Sequence, residues 1–333
     1  LRILVTGGAG FIGSNFVEYM MKKHPSYSMT VFDALTYASN PDTVKRFMKN
    51  RNFKFIKGDI LDMPRVEKAI KGHDWVVHFA AETHVDRSIL GPAAFIETNI
   101  KGTFNLLEAS RKAGVKKFLQ ISTDEVYGSV ARGRSRESDP LDPTSPYSAS
   151  KTSADLLAIS YHKTFSLPVL ITRSSNNFGP RQHPEKFIPL FITNAIELKS
   201  LPLYGDGKNV RNWIYVEDNC AGIDTVLHKG VPGEIYNIGG DTEEANLKVA
   251  KCILESFCVR ESLIKHVKDR LAHDRRYALD SSKLKKLGWK PANTFEQGLA
   301  LTIKWYANNT NWWLRLKEGA FREYYRKNYR GRP

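Results

Sequence analysis

Short apolar runs alternate with stretches of helical periodicity through the first half of the chain. The runs are Ile3–Val5, Met29–Phe32, Phe53–Ile56, Trp75–Phe79, Phe118–Ser122 and Val169–Thr172. They are almost wholly apolar, as strands covered on both faces are. Amphipathic patterns over Phe11–Lys23, Pro64–Lys71 and Pro92–Ala113 separate them, which predicts βαβ units and a parallel sheet. From about Ser174 the pattern loosens. Pro180, Pro184, Pro189, Pro202 and the turn Gly205-Asp206-Gly207 punctuate shorter elements, as in a second lobe interleaved with the first. The expected division is residues 1–173 for the first domain, with a return segment at about 212–236, then 174–310 for the smaller lobe. Residues 311–333 form a tail in which Trp312, Trp313, Phe321, Tyr324, Tyr325 and Tyr329 mix with Arg315, Lys317, Arg322, Arg326, Lys327, Arg330 and Arg332. That mixture reads as an amphipathic helix laid across the protein or across a partner subunit, in preference to a nucleic-acid surface.

Composition excludes little beyond whole-chain disorder: 41% of residues are hydrophobic and 26% charged, enough to build a core. No apolar run approaches the ~18 residues of a membrane span. The opening Leu1–Val5 meets Thr6-Gly7-Gly8 at once, which reads as a strand and turn and not as a signal peptide. Three cysteines (Cys220, Cys252, Cys258) form no CxxC pair and read as small buried residues of a reduced, cytoplasmic protein. His78 and His84, six apart with no third ligand, read as structural, and no metal site is expected. Fifty basic residues against 35 acidic ones leave a net charge of +15. Such an excess suits nucleic acid, or an enzyme that gathers phosphorylated substrates.

The motifs favour the enzyme. After the first strand comes Thr6-Gly7-Gly8-Ala9-Gly10-Phe11-Ile12-Gly13, then a helix. Glycines let the backbone turn tightly and approach a pyrophosphate, whose charge then sits at the helix N-terminus. The second strand ends in Asp33, at the interval expected of the acid that binds the ribose 2′-OH. A carboxylate there repels a 2′-phosphate, so NAD is expected over NADP. The fold class is therefore α/β, a Rossmann-type doubly wound parallel sheet with a smaller, interleaved C-terminal substrate lobe. Ala34–Asn40 would run beside the adenosine. Asp59 and Ile60, past the third strand, would touch the adenine, although Asp59 also suits a turn cap.

Tyr147 and Lys151 stand one turn apart on a predicted helix, behind Ser145-Pro146 as cap and first residue. Tyr19/Lys23 and Tyr204/Lys208 share the spacing, so position is what distinguishes the pair: it follows the end of the fifth strand, where open parallel sheets place their chemistry. A tyrosine base working near neutrality needs its pKa lowered by about 3 units, which Lys151 and an oxidised nicotinamide ring would supply. That strand runs into Thr123-Asp124-Glu125. Adjacent carboxyls at a strand end can serve as general acid and general base if their surroundings part their pKa values.

The glycine turn, Asp33, Tyr147 and Lys151 resemble the extended short-chain dehydrogenase/reductase superfamily. Thr123-Asp124-Glu125 is similar to its dTDP-glucose 4,6-dehydratase family, where the epimerases generally carry Ser or Thr at the two acidic positions. His78–Ser88, Ser175–Pro180, Pro184–Pro189, Leu203–Arg211 and His273–Tyr277 agree, and the resemblance runs to about Asn308. It implies that Tyr147 and NAD oxidise C4 of the glucosyl ring, with Thr123 and Lys151 organising the site. Glu125 then removes the C5 proton, Asp124 protonates the departing C6 hydroxyl, and hydride returns to C6. The resemblance also implies a cofactor site of Gly7, Gly10, Phe11, Ile12, Gly13, Asp33, Leu35, Thr36, Asp59, Ile60, Ala80, Ala81, Thr98, Tyr147, Lys151 and Asn177. Thr83, Thr123 and Asn176 would hold the sugar, and Lys186, Phe187, Pro202, Tyr204, Arg211, Asn246 and His273 the nucleoside diphosphate. Arg211 has a physical case of its own, as a guanidinium that can grip phosphate, against the alternative of a surface salt bridge. A homodimer through Phe95–Ala113 and Ser148–Phe165 is implied as well. The chain departs from the family at Leu271-Ala272, where Pro-Gly is usual, and at Asn212, where Asp often follows the arginine. A UDP-sugar dehydratase, a 4-epimerase and, more distantly, a nucleic-acid-binding protein remain as alternatives.

Overall fold

The computed structural model describes residues 1–330; Arg332 of the tail lies outside the described residues. Twelve strands run in chain order: β1 Arg2–Thr6, β2 Ser28–Asp33, β3 Phe53–Lys57, β4 Trp75–His78, β5 Lys117–Thr123, β6 Val169–Ser174, β7 Asn176–Phe178, β8 Leu201–Tyr204, β9 Val210–Tyr215, β10 Ile235–Ile238, β11 Thr242–Ala245 and β12 Ile264–Val267. Seven form one parallel sheet in the order β10-β6-β5-β4-β1-β2-β3. The order reverses between β1 and β4, and a crevice opens there at the carboxyl ends of the strands.

Apolar side chains cover both faces of this sheet, which is why its strands lack a polar alternation. Phe16, Val17 and Met20 of the helix Phe11–Lys23 pack on one face with Ile223, Val226 and Leu227 of the helix Val216–Lys229. Val66, Leu106, Leu107, Ala158 and Tyr161, from three helices, cover the other. The expected helix over Pro92–Ala113 is not uniform. Residues Ile96–Lys101 form a π-helical turn before the α-helix Gly102–Ala113. The wider turn lets Asn99 clamp Glu82 through both its backbone groups and reach Ser150 Oγ.

The smaller lobe holds the sheet β11-β9-β7, the pair β12-β8 and a core that includes Phe178, Phe191, Trp213 and Tyr306. The return to the large sheet is made by the helix Val216–Lys229 and β10. Residues 212–215, which the sequence reading puts in that return, belong to β9 of the small sheet. The tail folds into short helical segments whose apolar side chains join the lobe core. Trp313 is 1% exposed, and Phe321 and Tyr324 are buried. Of the cysteines, Cys220 alone is buried; Cys252 is half-buried and Cys258 exposed.

Candidate active site

One cavity of about 440 Å³ runs from the glycine turn across the ends of the sheet strands into the smaller lobe. Its nucleotide end is shaped by backbone. Gly7 sits at φ +69°, and a Cβ there would lie 2.5 Å from Ala80 N; a Cβ on Gly13 would run into Gly7 O. No side chain fits either position, so the turn packs backbone on backbone, and Gly7, Gly10 and Gly13 line the cavity without side chains. Asp33 accepts hydrogen bonds from Ala9 N (2.9 Å) and Leu35 N (2.8 Å) and so ties the second strand to that turn. Burial pushes its carboxyl up, against the pull of these two amides.

Gly10, Phe11, Ile12, Thr36, Asp59, Ile60, Ala80, Ala81, Thr98 and Asn177 line the same end. Asp59 fills both of its readings, since it faces the cavity and also accepts from Leu61 N at 2.9 Å. Leu35 is the exception. It adopts φ +56°, its N–H is spent on Asp33, and it does not line the cavity. The residues fit NAD: a cradle without side chains, a carboxylate at the end of β2, and a buried Asn177 Oδ1 without a hydrogen-bond partner.

At the centre, β5 ends in Thr123 and passes into a 3₁₀ turn over Asp124–Tyr127. The Thr123 hydroxyl accepts from Glu125 N (3.2 Å) and donates to Asp124 Oδ1 (3.1 Å), which fixes the Asp124 carboxyl and the backbone at Glu125. Asp124 Oδ2 is buried without a partner. Burial, then the charge of Glu125, pushes the Asp124 carboxyl up to about 8. Burial raises Glu125 too, but Arg270, Arg211 and Lys186 oppose it. The same strand end therefore holds a carboxyl that is neutral at pH 7 and one flanked by cations.

Ser145 and Ser148 form a reciprocal cap, with Pro146 next, so the helix Pro146–Phe165 begins just where it presents Tyr147 and, one turn on, Lys151. Lys151 Nζ donates to Ile121 O at 2.7 Å, and burial lowers the ammonium to about 8 while Asp155 opposes. Asp155, a further turn on, accepts from Ser122 Oγ and from Arg173 Nε, both at 3.0 Å. Arg173 is 1% exposed and continues to Tyr127 Oη at 2.9 Å. This buried chain locks helix, strand and turn together beneath the reacting groups. Burial, then Glu125, raises the Tyr147 phenol, while hydrogen bonding with the Thr83 and Thr123 side chains pulls it down.

Thr83, Asn176, Lys186, Phe187, Pro202, Tyr204, Arg211, Asn246 and His273 all line the lobe end. Lys186 Nζ donates to Thr83 Oγ1 at 3.4 Å. Arg211 is no surface salt bridge. It is 5% exposed, donates to the carbonyls of Val210 and Asp274, and lies over the Tyr277 ring. Asn176 Oδ1 and Asn246 Oδ1 are buried and unpartnered, and face into a site that must satisfy them.

Sequence reasoning missed Glu185, Arg270, Tyr277 and Tyr329, which line the cavity, and assigned His84 to structure although it lines it too. Glu185 and Tyr277 lie inside segments that carry the family resemblance, so closer reading would have raised them. Tyr329 gave no signal, because tail and site meet only in the folded chain. Tyr204 and Tyr324 both donate to Asp86 Oδ2, at 3.2 and 3.1 Å, which brings the tail to the wall of the site. His78 stays structural, bridging Thr6 and Thr103 in the core. At the departures, Ala272 takes φ +48°, a conformation that suits glycine, and Asn212 donates to Gly240 O and Thr242 O.

Comparison with known proteins places this geometry. The family described as GDP-mannose 4,6 dehydratase matches residues 4–302. The chain is 52% identical over 306 residues to low-salt glycan biosynthesis protein Agl12 of Haloferax volcanii, covering 92% of this chain and 98% of that one. It is 49% identical over 324 residues to a dTDP-glucose 4,6-dehydratase of Streptomyces antibioticus, covering 96% of each. The crystal structure of DesIV, a dTDP-glucose 4,6-dehydratase from Streptomyces venezuelae with NAD bound, superposes with a TM-score of 0.93 at 48% identity. That match covers 95% of this chain and all of the other.

Proposed function

The chain belongs to the GDP-mannose 4,6 dehydratase family, and from that premise we infer that it is an NAD-dependent hydro-lyase acting on dTDP-glucose. Its product is dTDP-4-keto-6-deoxyglucose. The observation that carries this reading is the pair Asp124 and Glu125, one neutral and one cation-flanked, at the strand end beside Tyr147 and Lys151.

Tyr147 Oη takes the proton of the C4 hydroxyl, and the Lys151 ammonium favours the phenolate that does so. Bound NAD supplies the oxidation at C4 and its reversal at C6, and it is regenerated. Once C4 is a ketone, the C5 proton is acidic, and the Glu125 carboxylate removes it. Asp124, protonated at neutral pH, gives its proton to the leaving C6 hydroxyl, which departs as water. Thr123 holds the Asp124 carboxyl and the backbone at Glu125 in place, and Arg211, Arg270 and Lys186 meet the diphosphate. An epimerase needs no such acid–base pair.

The oligomer we propose is a homodimer. Ile96, Phe104, Leu156 and Phe165 are between 43% and 53% exposed on the helical face expected to pair. We place the enzyme in the cytoplasm, in deoxysugar biosynthesis. The direct test incubates purified protein and NAD with dTDP-glucose or UDP-glucose. A dTDP product lighter by one water, formed faster than its UDP counterpart, is expected; an isomer of unchanged mass would contradict the reading.

A further inference from the structure

Away from the cavity, the end of the helix Phe11–Lys23 packs beside the helix Val216–Lys229. The first helix starts at the glycine turn, and its 13 residues carry His24 about 20 Å from it. His24 Nε2 lies 2.9 Å from Asp224 Oδ1, and His228 Nδ1 lies 3.0 Å from the same oxygen. These ligand atoms all lie within 4.8 Å of one another, the one such group among the described residues. Asp224 is buried, His24 half-buried and His228 partly open, so solvent reaches the cluster from one side.

Two further observations mark it as more than a packing contact. His228 Nε2 lies 3.0 Å from Tyr27 Oη. His228 Nδ1 also lies 2.9 Å from the Asp224 carbonyl oxygen, so without metal it donates to Asp224 and Nε2 accepts from Tyr27 Oη. Metal binding at Nδ1 moves the proton to Nε2, which then donates to Tyr27 Oη, the arrangement by which outer partners orient metal-bound imidazoles. Lys23 Nζ sits 2.8 Å from the other oxygen of Asp224, so a cation already occupies the carboxylate. The rings are also braced. His24 stacks on Tyr27 and on His228, with centroids 4.7 and 4.8 Å apart, and Trp75 meets His228 edge-on.

We propose that His24, Asp224 and His228 bind a divalent transition-metal ion, of which Zn²⁺ is the test case, and that this ion staples the first helix to the returning one. Two imidazoles and one carboxylate match zinc and its borderline neighbours; calcium and magnesium prefer all-oxygen shells. On binding, the proton shared between imidazole and carboxylate leaves to solvent, Lys23 swings outward on its half-exposed stem, and water completes the shell. The site takes no part in the reaction.

The test uses the full chain with NAD, first stripped with EDTA. Calorimetric titration with Zn²⁺ should show one ion per chain, with a melting temperature that rises with Zn²⁺ and falls back on chelation. His24→Gln and His228→Gln should each weaken binding at least tenfold. Tyr27→Phe, which removes only the outer partner, should weaken it about 10–100-fold. Lys23→Met, which removes the competing ammonium, should tighten it. Turnover without added metal should be unchanged in all four variants. Absence of binding at ~100 µM Zn²⁺, or undiminished binding in the double histidine variant, would overturn the proposal.

Discussion

Asp124→Asn should make the protein more stable and nearly inactive at once. Its carboxyl has an ordinary value of 3.8 and is raised to about 8 in the fold, chiefly by burial. A group so raised keeps its full stability below pH 3.8 and costs stability as pH climbs towards 8. Near neutrality about three pH units have been crossed at ~1.4 kcal/mol each, so the wild-type carboxyl costs on the order of 4 kcal/mol. Asparagine escapes that cost and still accepts from Thr123 through its amide oxygen. Urea unfolding of both proteins from pH 4 to pH 9 measures the difference. The variant should gain with rising pH, and the curves should converge near pH 4. Because the amide cannot give up a proton to the leaving hydroxyl, elimination should slow by about 10²–10⁴. Equal stability at pH 8, or turnover at the wild-type rate, would refute the assignment of a neutral acid at this position.

Other outcomes follow from the same geometry. Wild-type elimination should fall as pH rises through about 8, where Asp124 loses its proton, and a flat profile to pH 9.5 would contradict that. Asp33→Ala should weaken NAD binding in calorimetry and narrow its margin over NADP, since the carboxylate expected to meet the ribose and the tie to Ala9 N are both lost. Tyr329→Ala should raise KM for dTDP-glucose with kcat little changed, because the ring lines the lobe end of the cavity; an unchanged KM would place it outside substrate contact. Light scattering at micromolar concentration should give a dimer mass, and Leu156→Glu should lower it to the monomer.

What the sequence revealed was local. The glycine turn, Asp33 and the Ser145-Pro146 cap announce themselves because each needs particular residues at fixed spacing, and the apolar runs mark strands because both sheet faces are covered. What stayed hidden depends on contacts between distant segments. Tyr329 reaches the cavity only because the tail's aromatics bury themselves in the lobe core, which a mixture of aromatic and basic residues does not disclose. Leu35 lies off the cavity lining for a backbone reason the sequence does not display, since Asp33 claims its N–H. The π turn at Ile96–Lys101 is likewise silent in a helical pattern that reads as continuous. The burial of Tyr147 beside Glu125, which raises its phenol, is also invisible in the Y-x-x-x-K spacing.

The central claim is that oxidation and elimination are carried by different side chains, Tyr147 for the first and Asp124 with Glu125 for the second. Rapid mixing of enzyme, NAD and dTDP-glucose, followed by NADH absorbance, separates the two. Tyr147→Phe should form almost no NADH, whereas Glu125→Gln should form it and hold it, with C5 proton exchange lost and no water released. A Glu125→Gln enzyme that shows no NADH, or that releases 4-keto-6-deoxy product at the wild-type rate, would contradict the account.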